Sequence, residues 1–334
     1  MRLVFAGSPS AAVPSLTALA ASEHEVVAVV TRDDTPQGRR RVLTATPVAL
    51  EAERLGLPVV KTRQITEEVA ERITALDADL GVVVAFGALL REPVLSAPRL
   101  GWVNLHFSLL PRWRGAAPVQ RALMAGDEST GAVVFQLVPE LDAGDLLGAL
   151  ERPLDGTETA GALLDELAAS GADLLGDVVD RLAAGTAEPL VQVGEVTLAP
   201  KLVLDDGALD LLLPAGRVLD RWRGTTPEPG AHLPLGDARL KVLELRAVDA
   251  GAGADVDAAT ADGEPLAPGR IALRGRRLLV GTGTAPLELV RVQPPGKKPM
   301  AGADWSRGLL STDDVLLTTS PVTSTTTTDE EAPA

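Results

Sequence analysis

A chain of 334 residues with 46% hydrophobic content is long enough for two domains with separate cores. Aromatic side chains make up only 2% and tyrosine is absent, so alanine, valine and leucine must fill those cores; the lack of cysteine excludes disulfides, thiolate nucleophiles and Cys-based zinc sites. A formal net charge of −15 disfavours general nucleic-acid binding and leaves only local basic clusters for such a contact.

The opening Met1–Gly7 is a short apolar strand, broken by Gly7-Ser8-Pro9 too soon for a secretory core. No later run reaches the length of a membrane span, so a cytoplasmic protein with no membrane partner is expected, and no obligate protein partner is evident. Gly7-Ser8-Pro9 is not Gly-x-Gly-x-x-Gly and Pro9 lacks a backbone donor, which makes it a helix start and not a dinucleotide turn. Strands are expected at Leu3–Ala6, Val26–Thr31, Val59–Lys61, Leu80–Phe86, Trp102–His106 and Val133–Val138. Helices alternate with them at Ala11–Ala21, Pro47–Leu55, Glu67–Leu76, Pro118–Ala125 and Thr159–Ala184. This alternation predicts βαβ units and a parallel sheet over residues 1–188, with Leu80–Phe86 apolar throughout because helices cover both its faces. Residues 189–202 are polar and proline-bounded and read as a linker. Over 203–312, a helix at Leu213–Arg223 precedes strands at Arg239–Ala247, Arg270–Leu273, Leu278–Gly281 and Leu287–Val292, the pattern of a small β-barrel or sandwich. Residues 313–334 are mostly Ser, Thr, Pro and acidic residues and read as a disordered tail.

Residues 101–121 run GWVNLHFSLLPRWRGAAPVQR. Side chains two apart on a strand share a face, so Asn104 and His106 project together at a strand's carboxyl end, where open α/β sheets bind ligands. An amide donor beside an imidazole suits acyl transfer: one steadies an oxyanion and the other moves a proton. A hydrogen-bonded strand end also looks like this. Asp142, in Leu141-Asp142-Ala143-Gly144-Asp145, is as good a turn former as a catalytic carboxylate, and Trp113 suits packing as well as stacking on a base. The three histidines, His24, His106 and His232, have no metal-ligand spacing, and no metal is expected.

The segment Asn104-Leu105-His106-Phe107-Ser108-Leu109-Leu110-Pro111 resembles the Asn-[apolar]-His-x-Ser-Leu-Leu-Pro signature of the folate-dependent formyltransferases. Arg112–Arg121 is similar to the branch of that family that formylates methionyl-tRNA, and Leu141–Asp145 matches the family's Leu-Asp-Thr-Gly-Asp loop except at Ala143. Thr35–Arg41 is similar to a basic Pro-x-Gly-Arg insertion, and Pro294–Met300 to a Pro-Ala-Gly-Lys-Lys-x-Met segment. The resemblance implies a Rossmann-like α/β formyltransferase domain followed by a smaller OB-like β-barrel. It implies 10-formyltetrahydrofolate as co-substrate and initiator methionyl-tRNA as partner. Asn104 and a protonated His106 would face the oxyanion, with Asp142 holding the imidazole. Ser108, Leu109, Leu110 and Pro111, with the backbone of Phe86, Gly87, Ala88, Leu89 and Leu90, would bind the folate. Arg39, Arg40, Arg41, Arg112, Arg114, Lys297 and Lys298 would meet RNA.

Phe86 and Ala143 each lack a hydroxyl usual in the family, while Phe107, by alternation, should point away from His106. Three other readings stay open: formyl transfer to a small amine such as glycinamide ribonucleotide or an amino sugar nucleotide, hydrolysis of formyl-folate, or a binding module without activity. The Arg112–Arg121 block with the two basic segments weighs against the first, and the intact Asn104, His106 and Asp142 weigh against the last.

Overall fold

The computed structural model describes residues 1–38, 41–248, 266–309 and 317. Two compact units divide it, Met1–Leu202 and Val203–Ala334. The first begins with β1 (Arg2–Gly7), α1 (Val13–Ala21), β2 (Glu25–Thr31), the hairpin β3 (Thr35–Gln37) and β4 (Val42–Thr44), α2 (Pro47–Arg54) and β5 (Val59–Lys61). It continues through α3 (Glu67–Thr74), β6 (Leu80–Val84), β7 (Trp102–His106), β8 (Arg114–Gly115) and α4 (Pro118–Ala125). β9 (Ser129–Gln136), β10 (Leu146–Pro153), α5 (Ala160–Ala184) and β11 (Leu198–Ala199) complete it.

Seven strands form one sheet in the order β10-β9-β7-β6-β1-β2-β5. From β5 to β7 all pairings are parallel, and β9 and β10 extend the sheet antiparallel. Strand order runs outward from β1 in both directions, so the chain segments leaving β1 and β6 part toward opposite faces and open a crevice at the carboxyl ends. Alternation divides the side chains between two cores. Leu3, Phe5, Leu80, Val82, Val103 and Leu105 pack with residues of α1, α2, α4 and α5, while Val4, Ala6, Val30 and Trp102 pack with Val69, Ala70 and Ile73 of α3. Thr46 and Thr66 cap α2 and α3 by accepting the Ala49 and Val69 amides.

Each expected helix of this unit forms within two residues of its predicted bounds. Two strands differ from expectation. β6 stops at Val84 because Ala85 takes a φ of +48°, outside strand geometry. β9 starts at Ser129 and not at Val133, and it pairs with β10, which the sequence reading missed. Ser129-Thr130-Gly131 looks like a turn, yet a Cβ on Gly131 would sit 2.0 Å from the Leu150 carbonyl of β10. The charged, half-exposed Glu151 and Arg152 and the terminal Pro153 disguise β10 as loop, which is how edge strands are protected from further pairing.

In the second unit, α6 (Ala215–Gly224) precedes β12 (His232–Leu235), β13 (Ala238–Ala247), β14 (Ile271–Arg274), β15 (Arg277–Val280), β16 (Leu287–Gln293), β17 (Met300–Ala301) and α7 (Gly302–Arg307). These strands pair antiparallel in the order β12-β13-β16-β15-β14, with β17 on β16. Trp222 and Trp305 anchor the core against Leu240, Val242, Val280 and Leu289, and the Trp222 indole donates to the Val242 carbonyl at 3.2 Å. Of the tail expected to be disordered, only Leu317 is among the described residues. It is buried in this core and donates its amide to the Gly269 carbonyl at 3.0 Å.

Trp102 of β7 is fully buried, its indole donates to the Val94 carbonyl at 2.8 Å, and its ring lies over Gly81 of β6. A Cβ at Gly81 would come within 2.0 Å of that ring. Gly81→Ala is therefore expected to destabilise the first unit by about 1–3 kcal/mol through overpacking. Calorimetry should show a lowered melting temperature; an unchanged one would mean that the ring has room to shift.

Candidate active site

β7 carries Asn104 and His106 to the carboxyl edge of the sheet, with Asn104 flanked by Val83 of β6 and Phe135 of β9. Both line a cavity of about 510 Å³, together with Asp142 and Phe86, Gly87, Ala88, Leu89 and Leu90. Phe107 packs chiefly into the opposite core, as alternation requires. Among the described residues the Asn104 side chain makes no hydrogen bond.

His106 is 5% exposed, and its Nε2 lies 2.9 Å from the carbonyl oxygen of Trp113. A carbonyl only accepts, so Nε2 carries the proton of the neutral ring and Nδ1 keeps a free lone pair. Nδ1 faces Oδ2 of Asp142 at 3.9 Å. Burial pushes the imidazole below its ordinary value, against the opposing pull of Asp142 and the bond to Trp113. Burial thus favours the neutral ring at rest, and the protonated His106 expected from the sequence concerns the reacting state.

Asp142 is fixed by its backbone and by what it receives. Its Oδ2 accepts the Gly115 amide at 2.7 Å, and its carbonyl accepts Nε2 of Gln192 at 2.8 Å. Gln192 donates equally to the carbonyl of Gly144, where a Cβ would lie 1.7 Å from the Gln136 carbonyl. Ala85, Trp113 and Asp142 all have left-handed φ values, 48°, 64° and 47°, so backbone strain gathers around the cavity.

Sequence reasoning missed Gln192 and Thr197 because 189–202 read as a linker. The segment is instead a strap on the first unit. Leu190 bridges to Leu146, Thr197 Oγ1 accepts the Trp113 amide at 2.9 Å, and β11 pairs with β8. The alternation in Leu190-Val191-Gln192-Val193 and Val196-Thr197-Leu198 was the available signal. Ser8, which in sequence marks only a helix start, holds the neighbouring loop. Its hydroxyl donates to the Phe86 carbonyl at 3.1 Å and accepts the Arg32 amide at 3.3 Å, while the Arg32 guanidinium donates to the Gly87 carbonyl. These contacts set the 86–90 loop, whose amides have no backbone acceptor among the described residues.

Ser108, Leu109, Leu110 and Pro111 do not line this cavity. Ser108 Oγ donates to the Arg112 carbonyl at 2.7 Å and Leu110 packs on Val133 and Phe135, so the turn supports the 112–115 segment instead. Arg112 pairs with Asp127 at 2.8 Å and lies over the Trp113 ring, and Arg114 donates to Gln192 at 2.6 Å. Trp113 is therefore packed, with its indole bonded to Asp127 and one face covered. Arg41 is exposed at the turn joining β3 and β4, whereas Arg39 and Arg40 lie outside the described residues. Lys297 and Lys298 are exposed on the second unit, between β16 and β17. The 86–90 loop also borders a hollow of about 1030 Å³ lined by Arg63, Arg91 and residues of α3. Among the described residues no group of three or more His, Asp or Glu could hold a metal ion, and no helix is long and apolar enough to cross a membrane.

Two family models match the chain: formyl transferase over residues 1–179 and formyl transferase, C-terminal domain, over 201–310. The methionyl-tRNA formyltransferase of Leifsonia xyli subsp. xyli is 58% identical over 308 residues, 92% of this chain and 97% of that protein. The methionyl-tRNA formyltransferase of Clavibacter sepedonicus is 55% identical over 313 residues, 94% of this chain and 99% of that protein. The crystal structure of the N-formyltransferase from Helicobacter canadensis, in complex with folinic acid and dTDP-3-aminofucose, has the same fold at 14% identity. Its TM-score is 0.62, over 86% of this chain and 97% of that one.

Below the ordinary value of 6.5 the unfolded chain takes up a proton that the folded His106 ring resists, so the contribution of the neutral ring is full above that pH and lost as pH falls. The stability difference between the wild type and His106→Gln, read from urea titrations, is expected to shrink from about pH 7 to about pH 5. A difference constant with pH would refute the buried neutral state.

Proposed function

Because the chain belongs to the methionyl-tRNA formyltransferases of the formyl transferase family, we propose that it transfers the formyl group of 10-formyltetrahydrofolate to the α-amino group of methionine on initiator tRNA, for translation initiation. The observation that best supports this reading is the convergence of Asn104, His106 and Asp142 on one cavity walled by the 86–90 backbone. We infer that it acts in the cytoplasm, where such a reaction serves translation.

The methionine amine attacks the formyl carbon, forming a C–N bond and a tetrahedral oxyanion, and collapse breaks the bond to the folate N10. The proton lost by the amine ends on N10. Asn104, whose amide is otherwise unengaged, donates to the oxyanion. His106 Nδ1 takes the amine's proton, because Nε2 is already committed to Trp113. The imidazolium formed is stabilised by the charge of Asp142 across 3.9 Å and then protonates N10. The charged ring thus belongs to the reaction.

A pterin is flat and hydrogen-bonding, which suits a mostly apolar slot edged by the open amides of residues 86–90. The adjoining hollow, with Arg63 and Arg91, suits the carboxylates at the glutamate end of the folate. Arg112 and Arg114 are engaged with Asp127 and Gln192, so the phosphate contacts fall to Arg39, Arg40, Arg41, Lys297 and Lys298.

Single-turnover assays should offer the formyl donor with charged initiator tRNA, with glycinamide ribonucleotide, or with no acceptor. Product is expected on the tRNA alone, and Asn104→Ala or His106→Ala should slow its formation about a hundred- to a thousandfold. Transfer to the small amine, or formate release without an acceptor, would overturn the proposed acceptor.

A further inference from the structure

We propose that Asp127 is a positioning residue that holds the proton of His106 on Nε2 by fixing Trp113. This rests on reading His106 as the proton carrier. His106 Nε2 has the Trp113 carbonyl as its partner, at 2.9 Å. Trp113 presents that carbonyl from a left-handed φ of 64°, a conformation that bulky side chains avoid, so something must hold it.

Asp127 does so from both carboxylate oxygens. Oδ2 accepts the Trp113 indole N–H at 2.7 Å, and Oδ1 accepts the Arg112 guanidinium at 2.8 Å. That guanidinium in turn lies 5.3 Å from the centre of the Trp113 ring, so the carboxylate, the cation and the indole close into one clamp. On the other side, Thr197 Oγ1 accepts the Trp113 amide. Asp127 follows Gly126 at the carboxyl end of α4, with its own amide bonded to the Ala122 carbonyl. A carboxylate there opposes the helix dipole, so helix stability alone does not account for it. Neither Asp127 nor Trp113 lines the cavity with Asn104 and Asp142, which leaves Asp127 to act through the imidazole.

Without the clamp, Trp113 relaxes and His106 loses its carbonyl acceptor. The ring then turns its proton to Nδ1, toward Asp142 Oδ2, and Nδ1 can no longer take one from an amine.

The test reads the imidazole nitrogens by ¹⁵N NMR in the full chain, which has three histidines, so His106 is assigned by its loss in His106→Gln. The wild type is expected to show the Nε2–H form. Asp127→Asn and Trp113→Phe, the latter keeping a ring but deleting the indole N–H, should both populate the Nδ1–H form. Their single-turnover rates should fall about tenfold or more while KM for the formyl donor stays within about twofold. Asp127→Glu, which can still accept both donors, should restore the wild-type spectrum in part. Should Asp127→Asn not fold, Trp113→Phe carries the comparison. An unchanged His106 spectrum in the folded variants overturns the proposal whatever the rate does, and so does an altered spectrum with unaltered turnover. The spectrum needs no substrate, so a wild type that transfers no formyl group would refute the proposed function separately.

Discussion

Oδ2 of Asp142 receives the Gly115 amide at 2.7 Å and faces His106 Nδ1 at 3.9 Å. Through that one oxygen, two segments about thirty residues apart in sequence become a single site. The carboxylate can stand there only because the chain around it is over-determined. Gly144 lets the loop press against Gln136, and Gln192 ties two of its carbonyls. Strain in the Asp142 backbone persists because these contacts leave it no other conformation.

Burial gives the pair its chemical leverage. A neutral imidazole is inexpensive to hide, whereas an imidazolium in the same place would be costly unless a carboxylate stood nearby. His106 is sealed by the edge of Phe135, with ring centres 6.3 Å apart at 84°, and by the strap behind Trp113. With both side chains mostly buried, any attraction between Asp142 and a charged ring would be screened less than at the surface. The overall acidity of the chain contributes little to this local balance, which is set by three or four groups in contact.

Periodicity and end signals made the helices legible: Thr46-Pro47 and Thr66 with Glu67-Glu68 mark their own starts. The parallel strands were legible because burial on both faces writes an unbroken apolar run, as in Leu80–Val84. β10 was not, because an exposed edge strand is written in charges. Asn104, His106 and Asp142, like the 86–90 wall, could be picked out only because their segments resemble a family's motifs. What escaped were residues whose importance lies in hydrogen bonds across long sequence separations: Ser8 to Phe86, Thr197 to Trp113, Gln192 to Asp142. Such pairings leave no local pattern. The direction in which burial moves His106 escaped for a related reason, since desolvation depends on what the fold stacks around a ring and not on its neighbours in the chain.

The strap over residues 189–202 is joined to the first unit largely through hydrogen bonds, and Leu190, Val191, Val193 and Leu198 remain more than half exposed. A segment with so little buried apolar surface opens at a lower free energy than the sheet beneath it. Each opening frees Gln192 from Asp142 and Thr197 from Trp113 at once. The arrangement around Asp142 and Trp113 is therefore only as durable as a peripheral ribbon, which can fray well before the sheet beneath it unfolds.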